Sequence, residues 1–137
     1  MHGIVNVFIY RLIFTGFCDM LIPLGGILMA KHEFALMDHV PQAGVRYDQY
    51  EGDHLICAVV DDDAIEQHLP EFEILSCYAH TVDIPCKGLC YCGITLIPPH
   101  TAGEMYRMVS HDSAFGELIP MLLRAEQEHK WIIHFGI

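Results

Sequence analysis

Basic residues are scarce in this chain. Seven Lys and Arg stand against eighteen Asp and Glu, a formal net charge of −11 with histidine neutral. That balance repels phosphate backbones, so nucleic acid is not an expected partner. Charged residues of both signs make up only 18% while hydrophobic ones reach 53%. Intrinsic disorder is thereby excluded, because the chain can bury enough apolar surface to offset its ordering entropy. Short motifs that carry chemistry by themselves are also missing. The sequence holds no glycine-rich phosphate loop, no G-x-S-x-G elbow and no H-E-x-x-H pair.

What is present has the size of one domain. At 137 residues the chain is long enough for one core and too short for two. Its apolar content is concentrated in residues 1–28, where Arg11 and Asp19 are the only charges. As a membrane span this stretch is poor, since each of those charges costs roughly 2.5–3.5 kcal/mol near a span centre and Pro23-Leu24-Gly25-Gly26 breaks the helix. As a signal peptide it lacks the basic amino-terminal region and the small-residue cleavage point. A third reading comes from the genetic code. Gly25-Gly26-Ile27-Leu28-Met29 can be encoded with a purine-rich ribosome-binding sequence about seven nucleotides before an ATG, so 1–28 reads as translated upstream DNA, a segment to exclude from fold reasoning. A single α+β domain over 29–137 is then expected, with an apolar membrane or export segment as the alternative for 1–28.

The six cysteines do not read as a disulfide framework. Cys18 lies in the doubtful segment, and the other five are an odd set without an export signal. Reduced thiols in a cytoplasmic protein are the expectation, with Cys77, Cys90 and Cys92 as small hydrophobes in apolar runs. Cys86, Cys90 and Cys92 with His80 have donor atoms for zinc, but the paired C-x2-C knuckles of structural sites are lacking. No cofactor is expected.

From residue 54 onward the elements follow a recognisable order. His54–Val60 is a near-continuous apolar run of strand length, and Asp61-Asp62-Asp63 after it reads as the cap and first turn of a helix with Ile65, Leu69 and Phe72 on its apolar stripe. Leu75–Val82 and Leu89–Ile97 read as antiparallel strands joined by a turn at 83–88. Thr101-x-x-Glu104 resembles a capping box before a helix carrying Met105, Met108 and Val109. A second helix runs to about Lys130, with Leu118, Met121, Leu122 and Ala125 inward and Pro120 either in its first turn or at a kink. Trp131–Ile137 closes the chain as a strand. This β-α-β-β-α-β order is that of ferredoxin-like sandwiches, with an antiparallel sheet in the order 4-1-3-2 and helices on one face. The alternating run His32–Met37 supplies an additional amino-terminal strand at an edge or over the open face.

Two-residue periodicity then proposes a site. With the smaller apolar sets turned toward the helices, the open face carries Tyr78, His80, Tyr91, Thr95 and His134. His80 is the candidate general base, with Tyr78, Tyr91, Asp83 or His134 assisting. His80 and His134 fall on opposite edges in that topology, too far apart to share a proton.

Lys31-His-Glu-Phe34, Val60-Asp-Asp-Asp63, the stretch from Gly88 to Pro99 and Ile133-His-Phe-Gly-Ile137 together resemble a group of short bacterial proteins of unassigned function. The likeness covers residue 30 to the end. It implies a natural start near Met29 and carries no activity over.

Two function classes fit these residues. One is a small acidic interaction or regulatory protein of the immunity or inhibitor kind, monomeric or homodimeric, that meets a basic protein partner through steering charge and anchoring tyrosines. The other is a small-molecule-binding domain or modest enzyme built on His80. A chain shortened to residues 29–137 is expected to melt as cooperatively as the full one. Failure of that shortened chain to fold would place part of 1–28 in the core.

Overall fold

The computed structural model describes residues 22–24, 27–50 and 56–137, the first few as backbone only. Most of 1–28, together with His54 and Leu55, lies outside the described residues. Within the described part, β1 (Ile22–Leu24) and β2 (Ile27–Met29) pair antiparallel as a small sheet of their own.

The remaining elements form an α+β architecture on an open antiparallel sheet. Its strands are β3 (Lys31–Leu36), β4 (Cys57–Asp61), β5 (Ser76–Ala79), β6 (Pro85–Lys87), β7 (Ile94–Ile97) and β8 (Ile132–Phe135). The helices are α1 (Asp62–Phe72), α2 (Pro99–Val109) and α3 (Leu118–Glu128), with a 3₁₀ turn at Ser113–Phe115. Across the sheet the order is β4-β3-β8-β7-β5-β6, every neighbouring pair antiparallel.

That order corrects the 4-1-3-2 expectation in two places. The strand ending at Asp61 lies at an edge, and β3 sits in the middle between β4 and β8. The alternating run is expected at an edge or over the open face, yet His32 through Ala35 are all buried, and His32 finds its hydrogen-bond partners inside the protein. The turn expected at 83–88 also holds a strand of its own. β6 folds back on β5, and β7 pairs with the other side of β5 only after a loop at 88–93. Gly88, at φ +79, starts that loop in the left-handed region that glycine enters without steric cost.

Three amphipathic helices cover one face. Ile65 and Phe72 of α1, Met105 and Val109 of α2, and Leu118 and Leu122 of α3 are fully buried against Phe34, Val60, Cys77, Ile97 and Ile132 of the sheet. Each such side chain contributes about 1.5–3 kcal/mol by leaving water. α2 starts on Pro98-Pro99, with Pro99 at the first helical position where its missing N–H costs nothing. Thr101 therefore does not cap the helix. Its hydroxyl donates to the Ser76 carbonyl at 2.8 Å and ties α2 to β5. Pro120 falls in the first turn of α3 as the sequence requires. His68 stacks on Phe72, meets the edge of Phe115 and bonds Asp112 at 2.9 Å, which fastens α1 to the 3₁₀ turn.

The opposite face is not open. Ala35, Leu96 and Ile133 on it are fully buried, in a second core with Met37, Tyr47, Ile94 and Phe135. The segment after β3 turns over this face and is anchored by Met37 N–H on the Trp131 carbonyl (2.9 Å) and Tyr47 N–H on the His80 carbonyl (2.8 Å).

β8 runs on into the 90–93 turn. Gly136 N–H donates to the Gly93 carbonyl at 2.8 Å and Ile137 N–H to that of Tyr91 at 2.9 Å. A Cβ at Gly136 would stand 2.2 Å from the Tyr91 carbonyl oxygen, so no side chain fits without moving backbone. Gly136→Ala is expected to cost about 1–3 kcal/mol, the range for overpacking. It should appear as a lower denaturant midpoint, and an unchanged midpoint would contradict the close approach.

Candidate functional site

The five residues proposed for an open face do not share one. Tyr78 on β5 points away from the helices and packs against Trp131, ring centroids 5.8 Å apart. His80 follows β5 in a left-handed conformation (φ 63), and its Nδ1 is bonded to Asp48. Tyr91 lies in the turn before β7. Thr95 and His134, partners across β7 and β8, are completely buried on the helix side. The expected assignment of inward sets fails on β7 and β8 because all four residues of each strand are buried. When both faces of a sheet are covered, alternation of size and polarity no longer marks the core side.

What the fold brings together is a hydrogen-bonded chain beneath α1. His134 Nδ1 lies 3.1 Å from Thr95 Oγ1, His134 Nε2 lies 2.9 Å from His32 Nδ1, and His32 Nε2 lies 3.0 Å from Asp62 Oδ1. The placement follows from the register. Phe34 stands opposite His134, so His32, two residues earlier on the same side of β3, is its diagonal neighbour. The two imidazole planes are 10° from parallel. Asp62 enters from the first turn of α1, where the helix dipole favours a carboxylate.

Donor and acceptor roles follow from the ends. The Asp62 carboxylate accepts, so His32 Nε2–H donates; in a neutral imidazole Nδ1 then accepts, His134 Nε2–H donates to it, and the Thr95 hydroxyl donates to His134 Nδ1. Thr95 Oγ1 in turn accepts the Cys90 N–H at 2.7 Å. Every member is satisfied in one direction, as buried polar groups require. Burial pushes His32 below the usual histidine range, against the raising influence of the Asp62 hydrogen bond and of the Asp62 and Glu66 charges.

At the outer end the Tyr91 hydroxyl donates to Asp62 at 2.5 Å and reaches Glu66 at 3.2 Å. Burial, then Asp62, raises the phenol above its ordinary range. Asp62, Asp63 and Glu66 hold carboxylate oxygens within 4.8 Å of one another, an all-oxygen set suited to a hard cation in its chemistry. Asp61, expected as a side-chain cap, instead pairs with Lys31. An open hollow of about 370 Å³ lies beside β4, lined by the Lys31–Asp61 pair, Glu117 and the 113–116 turn.

His80 belongs to a separate exposed group. Its imidazole and the Arg46 guanidinium share the Asp48 carboxylate, which Arg46 first and His80 after it hold below the usual range. Of the zinc donors considered from sequence, Cys86 and Cys90 are half-buried free thiols, Cys92 is exposed in the 90–93 turn and His80 is bonded to Asp48; the close donor group found among the described residues is the carboxylate one. Cys57, read as a reduced thiol from the sequence, is disulfide-bonded. His32 was the residue sequence reasoning missed. Its signal is a histidine alternating with Phe34 and Leu36, a polar group in a buried row that demands a partner.

No family model matches the chain, and neither a curated protein nor a solved structure matches it. Among the described residues no helix is long and apolar enough to cross a membrane.

The histidine chain makes a pH dependence with a definite sign. Because burial depresses His32, the unfolded chain binds the proton more readily, so this contribution is complete above the unfolded value of 6.5 and declines as pH falls below it. His68 acts oppositely. Burial lowers it, but hydrogen bonds to Asp112 and Glu71 outweigh that and leave it raised, so its contribution is lost as pH rises. Between neutrality and mild acid the two histidines act in opposite directions, so His32→Gln, which cannot titrate, should hold its denaturant midpoint better than the parent chain as the pH falls. A variant with the same acid-side slope as the parent would remove His32 from the account.

Proposed function

We propose that this chain is a non-catalytic acidic interaction protein of the bacterial cytoplasm, immunity-like or inhibitor-like, that binds a basic protein partner where β4 runs into α1. The observation that carries this reading is the convergence of Asp62, Asp63 and Glu66 on one exposed end of a molecule of net charge −11. Like charges this close repel one another, and a cationic partner relieves the repulsion while its approach is steered by the same field. Glu117 narrows the mode of contact: its carboxylate accepts the Val59 N–H at 3.0 Å on edge strand β4, where an added strand would otherwise bond. Side-chain charge, not sheet extension, is then the means of recognition. Tyr91 adds aromatic surface beside the carboxylates. The likeness to short bacterial proteins agrees with a bacterial source.

A second reading has its own observation, the Thr95–His134–His32–Asp62 chain. It is oriented as a proton relay, so a small ligand at Tyr91 and Asp62 would meet a group able to pass hydrogen-bond polarity inward. In this reading His32 replaces His80 as the working histidine. A thermal-shift screen of metabolites separates the two, since a ligand of the folded state raises the melting temperature and the gain should vanish in Asp62→Asn.

The interaction reading is tested by charge reversal. A stoichiometric basic protein should co-purify with the parent chain at low salt, and Asp63→Lys with Glu66→Lys should slow its association at least about tenfold, the scale of electrostatic steering, with the melting temperature retained. Association unaffected by the double reversal would overturn the proposal.

A further inference from the structure

The segment between α2 and α3 lies against the edge of the sheet. Its 3₁₀ turn packs beside β4, and the Glu117 carboxylate that follows accepts the Val59 N–H at 3.0 Å. The hollow of about 370 Å³ lies between strand and turn, with Lys31 and Asp61 on the sheet side and Ser113, Ala114 and Gly116 on the other. The turn therefore spans the margin of β4 without filling the space in front of it, and Glu117 reaches across.

His68 of α1 holds the turn from its other side. Its Nε2 lies 2.9 Å from Asp112 Oδ2, and its Nδ1 is bonded to the Glu71 carboxylate. A carboxylate accepts and cannot donate, so both ring nitrogens donate and the ring is an imidazolium. Bonds between ionised partners are roughly twice as strong as neutral ones. Asp112 spends its other oxygen, Oδ1, on the Ala114 N–H at 2.9 Å. Its carbonyl accepts the Phe115 N–H at 3.0 Å, and the Ser113 carbonyl accepts that of Gly116 at 3.0 Å. Residues 112–116 are thereby one stiff piece, with the imidazolium at one end and Glu117 just past the other. Phe115 is its pivot, fully buried and edge-on to His68 with ring centroids 5.0 Å apart.

We infer that residues 112–117 are a strap across edge strand β4 that His68 latches shut: the bond to Asp112 keeps Glu117 on Val59, and loss of that bond lifts the strap and bares the Val59 N–H. The contact is autoinhibitory, because the molecule fills with its own carboxylate the kind of edge donor on which an added strand pairs. The latch acts at a distance, since His68 touches neither Glu117 nor Val59 through any hydrogen bond of its own and works through the stiffness of the turn. Nothing in the strap depends on a basic partner or on the carboxylates at 62–66.

Amide hydrogen exchange of the full chain, resolved residue by residue, tests the latch. His68→Phe keeps a ring against Phe72 and Phe115 and removes both carboxylate bonds. It should speed exchange at Val59 about tenfold, the factor that one charge-assisted hydrogen bond supplies, toward the rate in Glu117→Ala, where the acceptor is gone. Asp112→Ser still caps the turn but no longer reaches the imidazole, and it should do the same. Combining it with His68→Phe should add nothing further, as for the two ends of one bond. Amides of β7 and β8 should stay as protected as in the parent chain. An unchanged Val59 rate in His68→Phe, additive effects of the two substitutions, or a rise shared equally by β7 and β8 would each overturn the strap.

Discussion

The need to satisfy polar groups under the helices organises this protein. His32, His134 and Thr95 lie where water does not reach, and each would cost roughly 1–3 kcal/mol if left without a partner. The fold meets that demand by running one directional chain from β7 through β8 and β3 to the start of α1. A shift of β3 against β8 by one residue would turn His32 to the other face and strand Asp62. The polar chain thus specifies register, while the apolar core around Phe34, Phe72 and Phe115 supplies most of the stabilisation.

Much of the architecture was legible because helices announce their buried stripe. Ile65 and Phe72, Met105 and Val109, and Leu118, Leu122 and Ala125 are buried as their spacing requires. Strands were less readable. β7 and β8 are apolar or polar on both sides without consequence for burial, since the segment after β3 closes the second face over Ala35, Leu96 and Ile133. Nothing in the local pattern of Thr95 or His134 distinguishes a wet face from a dry polar chain; only the partner strand does. β3, expected from its alternating run at an edge or over the open face, is internal, with His32 and Glu33 both buried.

The candidate site shows the limit of single-residue chemistry. Tyr91, read from the sequence as part of an open face beside His80, instead hydrogen-bonds Asp62, twenty-nine residues away and in another element. His80, attractive as a lone histidine, is occupied in fastening the covering segment through Asp48 and the Tyr47 backbone. The Asp61-Asp62-Asp63 triplet divides into three unlike tasks: an ion pair with Lys31, the terminus of the histidine chain, and an exposed charge.

The two ends of the main sheet are guarded by unlike means. At β4 the Glu117 carboxylate occupies an outward N–H; at the other end β6 is three residues long and begins with Pro85, which has no N–H to offer. Each margin thus offers one backbone donor fewer to another chain. A concentrated solution of this protein should therefore resist fibre formation through its sheet while folded, even though the sheet never closes into a barrel. Aggregation, where it occurs, would begin from opened molecules in which the apolar strands β7 and β8 have lost their neighbours.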